Sequence, residues 1–195
     1  MKKILFAASE SVPFIKTGGL ADVVGSLPKY FDKDVRVMLP KYMCMKDEWK
    51  EKLQYHTHFY MDLNWRKQYV GVLEMEYDGI KFYFIDNEYY FNGYAPYGDM
   101  YADIEKFAFF SKAVLSALPL IDFRPDIIHC HDWQTGLVPI YLDNFRYGNE
   151  FYRGIKTVMT IHNLKFQGTW DPKRVRDITG LPQYYFAPDK LEAYK

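Results

Sequence analysis

The sequence predicts an α/β fold: a mainly parallel sheet flanked by helices and carrying an antiparallel hairpin insertion. Short apolar runs such as Ile4–Ala8 and Val35–Leu39 alternate with segments whose apolar residues recur at helical spacing, the pattern of strand–helix–strand units. Two β-patterned runs are joined by Asp78-Gly79, a dipeptide suited to a type I′ hairpin turn. The 195 residues, 49% of them apolar, are enough for one domain with a sizeable core.

Taken in order, Ile4–Ala8 is short enough for a buried strand and is followed by a polar loop containing Lys16-Thr17-Gly18-Gly19. Leu20, Val23, Val24, Leu27 and Phe31 then mark one helical face, with Pro28 kinking or ending the helix. Asp34–Pro40 is a second strand, and the right-handed crossover rule makes it parallel to the first. Met45–Leu53 is a short charged helix. His56–Leu63 supplies a further strand ahead of the hairpin pair Val70–Tyr77 and Ile80–Ile85. Residues 88–101, aromatic and interrupted by Gly93, Pro96 and Gly98, read as an irregular loop.

Asp103–Leu118 is helical by period, with Phe107, Phe110, Val114 and Leu118 near one face and Pro119 as its stop. A buried strand follows at Asp126–His131, then a helix at Gln134–Tyr147 and a strand at Thr157–His162. Lys165–Lys195 holds short helical patterns but no further strong strand. No repeat or low-complexity linker divides the chain, and it ends without a finishing element, as part of something longer would.

Charge narrows the function. Twenty-five basic residues balance 25 acidic ones, which argues against a nucleic-acid or membrane-surface binder. Cys44 and Cys130 lie in no ligand spacing and suit a reducing cytoplasm. Met-Lys-Lys and the apolar run after it imitate a signal peptide, but Ser9 and Glu10 interrupt the run too early. No stretch approaches the roughly 18–20 apolar residues of a membrane helix.

Three predicted strands end in polar clusters, at Ser9–Gly19, His131-Asp132-Trp133 and His162-Asn163. If these strands are parallel neighbours, all three clusters open on one sheet edge, where α/β folds bind ligands. Gly18 and Gly19 would let an anion approach the first turn of the helix, with Lys16 as a nearby charge. The spacing is neither GxGxxG nor GxxxxGK[ST], so an ordinary strand–helix turn remains the alternative.

His129-Cys130-His131-Asp132 invites a metal reading. Only His129 and His131 share a strand face, however, and no CxxC or HxxxH partner lies nearby, so packed histidines beside an edge carboxylate fit better. Cys130 reads as an inert buried thiol. Asp132 is either the best acidic group for a ligand hydroxyl or the N-cap of the helix near Gln134. Trp133 can pack under a ligand ring or in the core. His162 can be an ordinary hydrogen-bonded histidine at a strand end.

Four stretches, in this order, carry a resemblance. They are ILFAASESVPF with KTGGLADVVGSLPKY, then GYAPYGDMYADIEKFAFFSKA, HCHDWQTGLVPIYL and TIHNLKFQG. Together they resemble bacterial glycogen synthases and plant starch synthases, retaining glucosyltransferases of GT-B architecture. The resemblance implies that residues 1–195 are a Rossmann-like amino-terminal, acceptor-side domain, with the carboxy-terminal nucleotide-binding domain absent and the fragment inactive alone. It implies glucose transfer from ADP-glucose to the non-reducing end of an α-1,4-glucan, without metal or cofactor, in the cytoplasm. Asp132 and His162 would be the catalytic pair beside the donor glucose. Lys16, Thr17, Gly18, Gly19, Asp22, Tyr94, Tyr97, Trp133, Asn163 and Gln167 would bind substrate. The aromatic loop of Tyr94 and Tyr97 suits stacking on sugar rings, and equally suits a hydrophobic loop over the core.

Gln134, Asn92 and Lys106 depart from the family, which often has His at the first position and Arg at the other two. A non-catalytic glucan-binding module and a glucosyltransferase using another sugar nucleotide are the alternatives.

Overall fold

The computed structural model describes residues 2–191. Seven strands form one sheet: β1 (Lys3–Ala7), β2 (Asp34–Pro40), β3 (Gln54–Leu63), β4 (Arg66–Tyr77), β5 (Ile80–Asp86), β6 (Ile127–His131) and β7 (Lys156–Thr160). Their order is β3-β4-β5-β2-β1-β6-β7. The five strands from β5 to β7 run parallel, while β3 and β4 are antiparallel at one edge, as the hairpin insertion predicts. Asp78 and Gly79 take φ values of 50° and 75°, the left-handed pair that a type I′ turn requires. The chain leaves β1 on one side for β2 and later returns on the other as β6, so sheet order reverses at β1.

Side chains alternate strictly across the parallel strands. Ile4, Phe6, Val37, Leu39, Phe82 and Phe84 pack on one face with Leu20 and Val24 of α1 (Gly19–Ser26). Leu5, Ala7, Met38, Tyr83, Ile128 and Cys130 pack on the other, under α4 (Met100–Ala117) and α5 (Val138–Phe145). Both faces of the central strands are therefore covered, as a parallel sheet demands, while the edge strand β7 keeps Val158 and Met159 exposed. None of the described helices is long and apolar enough to cross a membrane.

The first helix ends at Pro28 as expected: α1 stops at Ser26 and continues as a 3₁₀ turn over Leu27–Tyr30, because Pro28 offers no amide to the α-helical ladder. Three other expectations about helices need correction, each for a local reason. Residues 88–101 are not wholly irregular. The Asn87 side chain accepts from the Tyr90 amide at 3.2 Å and starts the short α3 (Glu88–Phe91). The helix expected from Gln134 is split into a 3₁₀ turn, Trp133–Thr135, and then α5, which has Pro139 in its first turn. The Met45–Leu53 segment holds only the four-residue α2 (Asp47–Lys50). In the carboxy-terminal stretch, α6 (Pro172–Thr179) and a 3₁₀ turn at Gln183–Phe186 appear, with no further strand among the described residues.

Gly25 sets how closely α1 approaches the loop after β1. A Cβ there would lie 2.6 Å from the Val12 carbonyl oxygen, and the Val12 amide donates to the Ala21 carbonyl at 3.0 Å. Gly25→Ala must push helix and loop apart. Overpacking of this kind costs about 1–3 kcal/mol, so calorimetry should find Tm lowered by roughly 2–10 °C. Gly19→Ala, where a Cβ meets nothing within 4 Å, should leave Tm unchanged or slightly raised. Equal losses for the two would refute this account of the packing.

Candidate functional site

Parallel pairing of β1, β6 and β7 brings Ala7, Cys130 and Met159 into register, so the loops that follow leave from the same edge. They enclose a cleft of about 650 Å³ together with the segment that precedes α4. It lies at β1, where strand order reverses, as expected for an open α/β sheet.

The loop after β1 is organised by Glu10, which is 3% exposed. Its carboxylate accepts from the Thr17 amide, from Thr17 Oγ1 at 2.8 Å and from Tyr97 Oη at 2.6 Å. Tyr97 Oη also shares a hydrogen bond of 2.7 Å with Ser9. Burial, reinforced by Glu10, pushes the Tyr97 phenol well above its ordinary range, so it stays a neutral donor. Asp103 does similar work from α4. It accepts from the Gly98 amide at 2.9 Å and from Lys106 Nζ at 2.6 Å, and Lys106 donates to the Pro96 carbonyl at 3.0 Å. The aromatic loop is thereby tied to a helix rather than left free.

Thr17 and Gly18 lead into α1, whose amino terminus has no side-chain cap. Its first-turn amides carry partial positive charge beside the cleft. A Cβ at Gly18 or Gly19 would meet no atom within 4 Å, so the protein's own packing does not require glycine at either position.

Asp132 ends β6 with φ 57° and ψ −178°, a conformation that strains any residue but glycine. Its amide donates to the Thr160 carbonyl at 2.9 Å. Its Oδ1 accepts from the His162 amide at 2.6 Å and the Asn163 amide at 3.3 Å. The capping alternative does not hold, because this carboxylate caps no helix and binds the loop after β7 instead.

His129 and His131 do share a face, with ring centroids 4.2 Å apart, and His162 stacks beyond them at 5.2 Å from His131. His131 Nδ1 and His162 Nε2 share a 2.9 Å hydrogen bond, and His129 Nε2 pairs with Thr160 Oγ1 at 2.7 Å. Burial, then repulsion from the two neighbouring rings, lowers His131 to about 3. It also pushes the Cys130 thiol up to about 12, as the inert reading of that residue requires. Among the described residues no group of three or more His, Cys, Asp or Glu side chains is placed to hold a metal ion.

Trp133 is half-buried, edge-on to Phe107 at 5.3 Å. It walls off the cleft from a second cavity of about 550 Å³ under α4. Gly168, at φ 63°, lies against the indole, where any Cβ would collide.

Of the residues singled out from sequence, Thr17, Gly18, Gly19, Tyr97, Asp132, Trp133, His162 and Asn163 line the one cleft. Four lie elsewhere. Lys16 and Asp22 pair with each other at 2.7 Å, both more than half exposed. Tyr94 is fully exposed at the loop tip. Gln167 lines the second cavity and donates to the Leu164 carbonyl at 3.1 Å. Sequence reasoning missed Glu10, Asp103, His131 and Gly168 as organisers of the site. For Glu10 the signal was present: a carboxylate directly after a buried strand has to find donors in its own loop.

Comparison with known proteins shows what the chain is similar to. The family model of the starch synthase catalytic domain matches residues 3–195. Glycogen synthase of Lachnoclostridium phytofermentans is 72% identical over all of this chain, which covers 41% of that protein. Glycogen synthase of Lachnospira eligens is 68% identical, with the same coverage of both chains. The chain thus spans about two fifths of the length of these curated relatives. Among solved structures, the catalytic domain of starch synthase IV from Arabidopsis thaliana, bound to ADP and acarbose, is similar at a TM-score of 0.77. It shares 27% identity over 97% of this chain and 39% of its own.

His131 makes stability depend on pH. Its folded pKa of about 3 lies below the ordinary 6.5, so the unfolded chain binds this proton more readily than the folded one. The stability is fully present above pH 6.5 and is lost progressively as pH falls toward about 3. His131→Phe should flatten the fall in Tm over that range, measured by calorimetry at a series of pH values. An unchanged slope would mean that the ring is protonated in the folded chain.

Proposed function

The chain belongs to the starch synthase catalytic domain family, and from that premise we propose that it is the acceptor-side part of a retaining glucosyltransferase. In this reading the enzyme moves glucose from ADP-glucose to the non-reducing end of an α-1,4-glucan such as glycogen, in the cytoplasm, without metal or cofactor. Residues 1–195 form one domain, and the nucleotide-binding domain lies outside them. The relative bound to ADP and acarbose supports an ADP-linked donor and an oligosaccharide acceptor.

One observation carries the proposal: the α1 amino terminus stands uncapped in the cleft, with space at Gly18 and Gly19 that no protein atom fills. Glycosyl transfer from a nucleotide sugar passes through an oxocarbenium-like state while negative charge grows on the departing diphosphate. Fixed amide dipoles aimed at that charge lower the barrier most where water is excluded. Thr17, Gly18 and Gly19 then serve the phosphate side of the donor. Lys16 joins them by leaving Asp22, an exchange that costs little because the pair is exposed.

Asp132 and His162 take the glucose. Asp132 is strained, buried and already committed to two amides through Oδ1, so its main task is to fix His162 and Asn163, with its remaining oxygen free for a sugar hydroxyl. Trp133 and Tyr97 offer ring surface to the sugar chain. Tyr94, at the exposed tip, meets the acceptor glucan further out. Gln167 supports the loop through Leu164.

The test is ADP release from ADP-glucose by the complete natural polypeptide, with and without glycogen. ADP formed only with glycogen is expected, and none from residues 1–195 alone. Glycogen binding without ADP release would favour a glucan-binding module, and release only from another nucleotide sugar would move the donor assignment. In the same assay Gly19→Ala should reduce kcat/KM by at least about tenfold, or roughly 1.4 kcal/mol of transition-state stabilisation. Full activity in that variant would remove the helix terminus from the site.

A further inference from the structure

His131 is completely buried, and its Nε2 has no hydrogen-bond partner among the described residues. An unpaired buried ring nitrogen destabilises the fold, and an apolar side chain would suit the place better, since Phe6 packs on the ring at 5.2 Å. Among the described residues, the one bond the His131 side chain makes is to the His162 ring, at 2.9 Å. The next residue along, Asp132, holds the His162 amide at 2.6 Å. Two consecutive residues at the end of β6 thus grip the ring and the backbone of a single residue in the cleft. The support beneath is firm, because Thr135 Oγ1 donates to the His131 carbonyl at 3.0 Å and β6 is paired on both sides.

We propose that His131 is a positioning residue. Its imidazole locks the ring of His162 against the sheet edge so that, with Asp132 holding the amide, His162 presents one fixed geometry to the substrate. The role in turnover rests on the transferase reading above, whereas the role in fixing His162 does not. His131 itself stays out of reach of the cleft, which it does not line.

Two substitutions separate this role from mere filling of space. His131→Asn keeps a polar group near the position of Nδ1 but leaves a void. His131→Phe fills the void but cannot make the bond. In the complete enzyme, His131→Asn should retain kcat within a few-fold, while His131→Phe should lose up to about 100-fold in kcat with KM for glycogen unchanged. A Phe variant as active as the unaltered enzyme, or losses in both that follow their Tm, would overturn the proposal.

The complete protein supplies a second readout that needs no activity. Exchange of the His162 amide, followed by NMR, should be at least tenfold faster in His131→Phe than in His131→Asn. Equal exchange would overturn the proposal even where turnover changes. If the unaltered complete protein releases no ADP, the transferase reading fails, and the amide exchange still decides whether His131 holds His162.

Discussion

Parallel hydrogen bonding among β1, β6 and β7 is the constraint on which the site depends. Three strands running the same way must end on the same edge, and Ala7, Cys130 and Met159 are aligned there. The polar residues that follow each strand are then neighbours, although the chain positions span more than 150 residues. The reversal of strand order at β1 parts the loops on either side and leaves a cleft between them. β1 and β6 are packed on both faces and give the loops after them a firm base, while β7 is held at the edge mainly by its pairing with β6.

Buried carboxylates order what the sheet brings together. Glu10 gathers Thr17 and Tyr97, Asp103 gathers Gly98 and Lys106, and Asp132 gathers His162 and Asn163. Glu10 and Asp132 join segments distant in sequence and Asp103 ties its own helix to the loop before it, all through charge-assisted bonds, stronger than neutral ones. The amino end of α1 is left without such a partner. The open helix terminus leaves amide donors facing the cleft that no side chain of the protein caps.

Much of the fold was legible in the sequence because period and turn chemistry are local. The apolar runs of β1, β2 and β6 and the Asp78-Gly79 turn carry their conformation in a few residues. The limit of the first helix was legible too: Leu27 and Phe31 continue the helical spacing past Pro28, yet the ladder breaks at the missing amide. The meeting of the three strand-end clusters could be argued from parallel order. The hold of Glu10 on Tyr97 could not, because the two lie 87 residues apart, although a carboxylate directly after a buried strand already signals the need for nearby donors such as Thr17. Nor does a sequence reveal that the Asp132 carboxylate turns away from the helix it precedes.

The strained backbone at Asp132 has an effect on what a search for sturdier variants would retain. Glycine relaxes φ 57° and ψ −178°, gaining about 1–3 kcal/mol, while losing the carboxylate gives back an amount of the same order. The two terms are of the same order and opposite in sign. A library sorted by solubility, heat resistance or fluorescence of a folding reporter therefore reads the backbone gain together with the lost grip on His162 and Asn163, and does not score that grip by itself. At this position foldedness is a poor proxy for fitness.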